Sequence, residues 1–420
     1  MTQPRVSDAS PAIVVAGTLD TKGAEIAFVR REFERRGHRV IVIDCGILGE
    51  PGTAATIGRA AVAKAGGGDI TAMRAAHDRA DAIPTMIRGL EALLTELRDQ
   101  GQVAGYFGLG GGTNAALASA AFHVLPFGVP KMLVSTVACG NTRPFIGMKD
   151  VVLIHSVVDI LGLNPFLEGV LVQAITGLSA MAGAASAASR PAAGTSLGMT
   201  TFGSTTEGAM IAHEALTRHG LDILSFHARG IGGEAMEAFI REGRIRAVLD
   251  LTTTEIADEL VGGICSAGPD RLSAAGERGL PQVVLPGAID IVNFGPRPTV
   301  PERFRGRTMT AHTPQATLMR TTVDENVAIA AFIAEKLNRA RGPAAVVLPL
   351  RGFSAYDIEG GPFFDPAADA AFCDSLTGKL DRHIPVARVD AHINQHAVID
   401  RATALLIDML SDSTRKVEAS

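Results

Sequence analysis

The chain has 420 residues, of which 47% are hydrophobic and 20% are charged, and its formal net charge is −5 at pH 7. This length predicts two domains, because one ordinary core rarely grows so large. The acidic balance and the absence of tryptophan argue against a protein that binds nucleic acid through bulk positive charge or stacking platforms.

The cysteines and the uncharged segments of the sequence indicate the cellular compartment of the protein. Cys45, Cys139, Cys265 and Cys373 are far apart and show neither zinc spacing nor a disulfide framework, which favours a reducing cytoplasm. The first residues lack the apolar core of a signal peptide. Residues 169–189 are long enough to span a bilayer, but their Ala, Gly and Ser content favours a buried or interface helix. We therefore expect a cytoplasmic protein that does not enter the membrane.

Strands and helices alternate through the first half of the chain. Residues 53–80 are rich in Ala and Gly and are predicted to be irregular. Alternating strands and helices imply a parallel sheet that helices cover on both faces, with right-handed crossovers. The sequence predicts strands at 13–19, 38–46, 103–109, 129–136 and 149–157, and helices at 22–37, 81–100, 113–123 and 165–189.

The same pattern restarts after a linker predicted at 190–196, so we expect one domain at 1–189 and another at 197–420. The second half begins with a strand, a helix and a strand at 197–203, 205–220 and 221–228. It returns to a strand at 344–350 and ends in a helix at 396–411. The sequence therefore predicts an α/β protein of two Rossmann-like domains with mostly parallel sheets and helices on both faces.

Three segments of the first half can be laid on three segments of the second. This pattern favours an internal duplication, although two βα domains share such a pattern without common descent. Ligands of open α/β sheets bind at the carboxyl ends of the strands, so each half is expected to place its turns where a ligand binds. The pairs are 17–23 with 202–208, 104–117 with 247–260, and 127–136 with 278–287.

A first glycine-rich turn contains Gly17, Thr18, Asp20, Thr21 and Lys22. Backbone amides freed at the start of a helix bind anions such as phosphate, and a lysine adds a positive charge. Asp20 suits Mg²⁺, directly or through water. The structural alternative is a helix cap formed by Asp20 or Thr21.

A second turn carries three consecutive glycines, which cost backbone entropy that a plain turn does not require. A tight βα turn without a ligand remains the alternative. Hydroxyl groups at a third strand end suit the same pocket. No G-x-x-x-x-G-K-[ST] occurs, which excludes a P-loop ATPase. The residues concerned are Gly110, Gly111, Gly112 and Thr113 in the turn and Ser135 and Thr136 at the third strand end.

The second half carries polar groups that predict a second cleft for an anionic small molecule. Its glycine-rich turn at 227–239 fits the dinucleotide fingerprint only loosely, and an anion site or a structural turn is the better interpretation. Arginines at 303, 305, 307 and 320 suit carboxylate or phosphate. The predicted cleft residues are Gly230, Gly232, Gly233, Thr253, Thr254, Asp290, Asn293, Arg320 and Asn394.

Two histidines of the second half, His227 and His392, are candidates for general acid–base chemistry. A hydrogen-bonded structural histidine is the alternative for His392. A serine hydrolase is not indicated, because the nucleophile elbow G-x-S-x-G is absent.

Many strings occur in one order along the chain, among them GTLDTKG, GLGGGTNAAL, SVVDILGLN, FHARGIGGEAME, LDLTTTEIADEL, PGAIDIVNFG and LPLRGFSAYDIEGGPFFDP. With these strings the chain resembles the Tm-1-like ATP-binding, UPF0261 family over nearly all of residues 12–410. The resemblance implies ATP and Mg²⁺ in the N-terminal domain and a homodimer. It carries the ATP site onto the residues Thr18, Asp20, Thr21, Lys22, Gly110, Gly111, Gly112, Thr113, Ser135 and Thr136.

Two positions depart from the family pattern in the second domain. Arg229 stands where a small residue is more usual, and Thr313 follows His312 in place of Asn, so the ligand of this domain can differ from that of relatives. Two functions are compatible with the sequence. The first is a binding or regulatory protein that ATP stabilises. The alternative is an enzyme acting on a carboxylated or carbonyl, sugar-acid-like substrate in the second domain or between the domains, with His392 or His227 as proton carrier.

No established catalytic set is present, so the sequence leaves enzymatic activity open. The apolar helix at 165–189 is the expected dimer contact.

Overall fold

The computed structural model describes residues 10–76, 79–187 and 196–418. The chain divides into two compact units, Met1–Arg190 and Pro191–Ser420, called here the first and second units. The predicted linker at 190–196 lies outside the described residues, apart from Ser196.

A five-stranded parallel sheet forms the centre of the first unit, with strand order β2-β1-β3-β4-β5. Its strands alternate apolar side chains between two cores, with Ile13 and Val15 in one and Ala12 and Val14 in the other. Both faces are therefore buried, as expected for a parallel sheet. The strands are β1 Ala12–Gly17, β2 Val40–Asp44, β3 Val103–Gly110, β4 Lys131–Ser135 and β5 Val152–His155.

Helices cover both faces of this sheet. Two of them lie in the segment predicted to be irregular, because its alanines favour helix while Gly66, Gly67 and Gly68 divide it. In α7, the segment Pro165–Ala184 is long and apolar enough to cross a membrane by length and composition. Of its apolar stretch, 33% is buried in the structure. The helices are α1 Leu19–Arg35, α2 Arg59–Ala65, α3 Ile70–Ala76, α4 Arg79–Asp99, α5 Gly112–Val124, α6 Arg143–Ile146 and α7 Pro165–Ala187.

The second unit contains a six-stranded parallel sheet of order β14-β13-β9-β8-β6-β7 and a three-stranded antiparallel sheet of order β10-β12-β11. The small sheet occupies part of the polar run at 286–325, where the sequence predicted a site and no strands. The strands are β6 Ser196–Thr201, β7 Asp222–His227, β8 Ile245–Thr252, β9 Gln282–Gly287, β10 Ile291–Phe294, β11 Met309–Thr313, β12 Ala316–Arg320, β13 Ala344–Pro349 and β14 Val386–Val389.

Helices also flank the large sheet of the second unit, and their buried side chains join the apolar cores on its faces. Thr322 begins α12 with a capping box, in which its hydroxyl accepts from Glu325 N and the Glu325 carboxylate accepts from Thr322 N. The helices are α8 Thr206–Arg218, α9 Ile231–Arg241, α10 Thr254–Val261, α11 Ala274–Arg278, α12 Val323–Asn338, α13 Pro366–Lys379 and α14 His396–Glu418.

The two parallel sheets share a strand order. β1 lies between β2 and β3 in the first, and β6 lies between β7 and β8 in the second. The segments that align between the halves occupy equivalent places, namely the turn after the first strand and the third and fourth strands of each sheet. The order reverses beside β1 and beside β6, and open α/β sheets bind ligands at the carboxyl edge of such switch points. The predicted fold class is confirmed.

Candidate functional site

A cavity of about 290 Å³ opens in the first unit where the turns after β1, β2 and β3 meet. One wall is polar and comes from the β1–α1 and β3–α5 turns together with Asp159. The opposite wall is apolar and comes from the segment after β2 and from α4 and α5. The lining residues are Thr18, Asp20, Thr21, Lys22, Cys45, Ile47, Leu48, Ile83, Met86, Gly111, Gly112, Thr113, Asn114, Leu117 and Asp159.

Asn114 holds the two glycine-rich turns together. Its Oδ1 accepts from Thr18 N at 3.1 Å, and its Nδ2 donates to Thr18 Oγ1 at 3.2 Å. A further hydrogen bond of 2.7 Å joins the hydroxyls of Thr18 and Thr21. These contacts place both threonine hydroxyls in the polar wall of the cavity.

Gly17 and Gly110 were predicted to bind nucleotide, but they shape the turns instead of lining the cavity. Gly110 has φ +137°, and a Cβ there would lie 2.6 Å from Asn114 Nδ2. A Cβ on Gly17 would lie 3.1 Å from Asn114 Oδ1. Gly110 therefore favours glycine through both its backbone conformation and the packing of Asn114, whereas Gly17 is only tightly packed against Asn114 and Ile26.

The amino end of α5 borders the cavity at Gly111, Gly112, Thr113 and Asn114. Its N-cap residue is Gly111, which has no side chain with which to cap the first turn. The first amides of a helix have no partner within the helix, and the helix dipole places partial positive charge at this end. A Cβ on Gly112 would meet no described protein atom within 4 Å, so the approach to these amides is open.

Three charged side chains line the cavity. Lys22 donates from Nζ to the carbonyl oxygen of Ile160. Asp20 Oδ2 accepts from Leu48 N at 2.7 Å and from Gly49 N at 3.3 Å. Asp20 Oδ1 is buried and has no hydrogen-bond partner among the described residues. With Asp159, the lining carries one positive and two negative charges, so a polyphosphate would require a cation beside it.

The predicted site residues Ser135 and Thr136 lie outside this cavity. Ser135 is fully buried, donates to Gly110 O at 2.6 Å and accepts from Val137 N. It therefore ties β4 to β3, which corrects its assignment as a ligand contact. Thr136 begins a short 3₁₀ turn, and its hydroxyl would lie 3.7 Å from a Cβ on Gly111.

The predicted residues of the second unit do not form one cleft. The amides of Gly230 and Gly233 donate to Glu255 Oε1 at 2.6 and 3.0 Å, so an internal carboxylate occupies the place predicted for a ligand anion. Arg271 donates to the other Glu255 oxygen at 2.8 Å. Burial raises the pKa of Glu255, while Arg271 acts in the opposite direction. A Cβ on Gly232 would lie 1.9 Å from His227 O, so this glycine serves a tight turn.

Thr253, Thr254 and Asn394 also have structural roles. The two threonine side chains are fully buried and donate to Leu285 O and Ile291 O, each at 3.1 Å. Asn394 accepts from Gly208 N at 3.1 Å and donates to Ser204 O at 3.0 Å. These three side chains thus satisfy backbone groups of the second unit.

Arg320 and Asp290 belong to a buried ionic cluster. Arg320 donates to Asp369 at 2.6 Å, and Asp290 accepts from the Ser354 hydroxyl at 2.6 Å. Burial raises the pKa values of Asp290, Asp357 and Asp369, and Arg320, which the three carboxyl groups share, acts in the opposite direction. Among the described residues, Asp290 Oδ1 and Asp357 Oδ1 have no hydrogen-bond partner.

Of the other arginines predicted to form a clamp, only Arg307 contacts Arg320, by donating to its carbonyl oxygen at 2.6 Å. Arg305 pairs with Glu302 on the surface, and Arg307 pairs with Glu325. Arg303 lies over the ring of Phe304. Arg307 and Arg320 nevertheless line one cavity of about 350 Å³, so two of the four predicted arginines share a surface.

His392 is held by the backbone through both ring nitrogens. Nδ1 accepts from Asn394 N at 3.2 Å, and Nε2 lies 2.9 Å from Ser354 O. An Nδ1 that accepts an amide proton leaves the ring proton on Nε2, which then donates to the carbonyl oxygen. The structural interpretation of His392 is therefore favoured over its prediction as a proton carrier.

Two of the predicted residues, His227 and Asn293, do meet in the second unit. They line a cavity of about 100 Å³. Sequence reasoning missed Ser204 and Tyr356 here, although Ser204 lies in the segment that aligns with the first nucleotide turn. The lining residues are Phe202, Gly203, Ser204, His227, Arg229, Asn293, His312, Ala316, Leu318 and Tyr356.

The fold and the first-unit cavity define a doubly wound α/β protein with a cavity at a switch point, where such sheets bind ligands. Residues 11–188 and 195–410 match the N-terminal and C-terminal domains of the uncharacterised protein family UPF0261. The chain belongs to the UPF0261 family.

Sequence identity to related proteins supports the family assignment. A UPF0261 protein from Clostridium tetani is 42% identical over 399 residues, which are 95% of this chain and 98% of that protein. The ToMV resistance protein Tm-1(GCR237) of Solanum lycopersicum is 41% identical over 345 residues, 80% of this chain but 45% of the tomato protein.

Among solved structures, the comparison gives only a weak likeness. A putative UDP-N-acetylglucosamine 2-epimerase from Listeria monocytogenes aligns with a TM-score of 0.23 and 12% identity. The alignment covers 66% of this chain and 79% of that chain. This likeness carries no argument about function.

Proposed function

We propose that the first unit binds ATP together with Mg²⁺ and that the protein has a regulatory or ligand-binding role. One observation carries the proposal: two turns that are far apart in the sequence meet in one cavity at the switch point. Thr18 to Lys22 and Gly111 to Thr113 both line it. This is where open α/β sheets bind nucleotides.

The two walls of the cavity suit the two ends of a nucleotide. The apolar wall, which includes Ile47, Ile83 and Met86, matches the face of a purine base. The amides at the start of α5 and the ammonium group of Lys22 match phosphate oxygens. The hydroxyls of Thr18 and Thr21 can serve as further donors.

The carboxylates fit a magnesium ion held with the phosphates. Mg²⁺ is typically bound by one or two carboxylates, substrate phosphates and several waters. Asp20 and Asp159 are the two carboxylates of the lining, and Asp20 Oδ1 is a buried acceptor without a protein partner. Among the described residues, no group of three metal-binding side chains occurs. These residues therefore fit an ion that depends on the nucleotide for the rest of its ligands.

A bound nucleotide would stabilise the folded protein, by about 2.7 kcal/mol at a hundred-fold excess over Kd. We also propose a cytoplasmic homodimer in which the outer face of α7 supplies the contact. The exposed side chains of that helix include Phe166 at 53% and Met181 at 36% exposure.

Calorimetry with the full-length protein tests the nucleotide site. We expect wild type to bind ATP more tightly with Mg²⁺ than with EDTA. Asp20→Asn should lose most of this difference, an effect of about ten-fold in Kd for each 1.4 kcal/mol lost. Asp99→Asn is the matched control, because Asp99 is exposed and lies outside the cavity. Absence of ATP binding, or an unchanged magnesium effect in Asp20→Asn, would contradict the proposal.

A further inference from the structure

The small cavity of the second unit lies at the carboxyl ends of β6 and β7, beside the antiparallel sheet of β10 to β12. We propose that it binds a small carboxylic acid of three or four carbons that also carries a hydroxyl or keto group. The proposal is independent of the nucleotide site, because every residue that carries it belongs to the second unit.

The first reason is an unpaired hydroxyl. Ser204 is 6% exposed, and its Oγ is buried without a hydrogen-bond partner among the described residues. Ser204 O accepts from Asn394 Nδ2 at 3.0 Å and from Ala355 N at 3.0 Å, so the backbone here is fixed. A buried hydroxyl without a partner costs free energy, which a ligand oxygen in the cavity would offset.

The second reason is an arginine, Arg229, that forms no ion pair with a carboxylate of the described residues. Among the described residues, Arg271, Arg307 and Arg320 all form ion pairs with carboxylates, whereas Arg229 forms none. The Arg229 guanidinium lies beside the thiol of Cys265 and lines the cavity. A guanidinium presents a planar fork of donors that matches a carboxylate.

The third reason is a set of polar groups whose orientation is already fixed. Asn293 donates from Nδ2 and from its backbone N to Asp258 at 2.8 and 3.0 Å, which turns its side-chain oxygen away from that carboxylate. His312 Nδ1 and Tyr356 Oη are joined by a hydrogen bond of 2.8 Å. The His227 ring stacks on Phe202 with centroids 5.6 Å apart. Fixed donors and acceptors of this kind recognise a hydroxyl or carbonyl oxygen.

Size and polarity set the class of ligand. The cavity of about 100 Å³ is far below the roughly 300 Å³ at which pockets for drug-sized ligands begin, so a nucleotide is excluded. Ala316 and Leu318 supply a short apolar surface. One cation, one unpaired hydroxyl and one small apolar surface together match a short-chain hydroxy or keto acid.

Calorimetry on the full-length protein with glycerate, pyruvate, malate and glycerol tests the proposal. We expect at least one acid to bind, and glycerol, which lacks the carboxylate, to give no heat. Arg229→Gln should weaken the binding of that acid by about ten-fold or more, because it removes a charge-assisted contact. Arg305→Gln is the matched control, since Arg305 is an exposed arginine of the same unit outside the cavity, and it should bind like wild type.

Ser204→Ala gives a second readout that does not depend on the choice of acid. Because no described residue forms a hydrogen bond with this hydroxyl, the variant should melt at the same or a higher temperature than wild type while binding the acid more weakly. The proposal is overturned if no acid binds, if glycerol binds as well as the acids, or if Arg229→Gln leaves affinity unchanged. A clear loss of thermal stability in Ser204→Ala would also overturn it, because the hydroxyl would then have a protein partner.

Discussion

Replacing Gly112 with alanine separates the nucleotide site from the stability of the fold. Gly112 is the first residue of α5 and lines the first-unit cavity. A Cβ there meets no described protein atom within 4 Å, and its φ is not in the left-handed region. The added methyl group should therefore be tolerated by the protein but stand where a phosphate approaches the amides of α5.

The two expected effects have opposite signs. Gly→Ala at a compatible position stabilises a protein by about 0.4–1 kcal/mol through the unfolded chain. For a unit of this size, that raises Tm by roughly 1–4 °C. Loss of a hydrogen bond to a charged phosphate costs about 1.5–3 kcal/mol, which corresponds to a roughly 10- to 150-fold weaker Kd.

Calorimetry with ATP and Mg²⁺ gives the affinity, and differential scanning fluorimetry without nucleotide gives the stability. Gly378→Ala is the matched control, because this exposed glycine lies within α13, outside the cavity, and an added Cβ also meets no described atom within 4 Å. It should raise Tm without changing Kd. The reasoning is refuted if Gly112→Ala raises Tm and binds ATP as tightly as wild type, because the phosphates would then lie elsewhere.

Two further predictions concern the second unit. Arg271→Met leaves the buried carboxylates Asp250 and Glu255 without their cation. It should lower the free energy of unfolding, measured by urea denaturation, by about 3–5 kcal/mol. A loss below about 1 kcal/mol would mean that these carboxylates are protonated or solvated. Burial raises the pKa of Asp369 to about 8. The folded protein therefore keeps a proton on Asp369 that the unfolded chain, with a pKa of about 4, releases earlier. The stability that this proton contributes is complete below about pH 4 and is lost as the pH rises towards 8. Thermal melts from about pH 5 to 8 should therefore show a smaller decline for Asp369→Asn than for wild type, and equal declines would show that Asp369 is already ionised.

The alternation of strands and helices was predictable because it depends on local periodicity. The first strand was expected to continue to residue 19, but it ends at Gly17, because Thr18 is the N-cap of α1 and the helix begins at Leu19. The antiparallel strands β10 to β12 were not anticipated, since their polar residues resemble a binding segment. They pair with one another through contacts that only the folded chain defines.

The first-unit turns were predictable because the signal is local in the sequence. Glycine, threonine and lysine directly after a buried strand indicate backbone amides without a partner at the start of the next helix. The apolar wall was not, because Ile83 and Met86 have the spacing of any core-facing helix residues. In the second unit the same logic failed at Gly230 and Gly233. Their amides bind Glu255, which is far from them in sequence. A sequence shows which backbone groups can bind an anion, but it does not show whether a carboxylate of the same chain already accepts their hydrogen bonds in the fold.

The most direct measurement is a crystal structure of the full-length protein grown with a non-hydrolysable ATP analogue and Mg²⁺. The account predicts density for the phosphates beside the amides of Gly111 to Thr113, with the metal ion near Asp20 and the base against Ile83 and Met86. Nucleotide density in the second unit, or a first-unit cavity that stays closed to the analogue at saturating concentration, would contradict it.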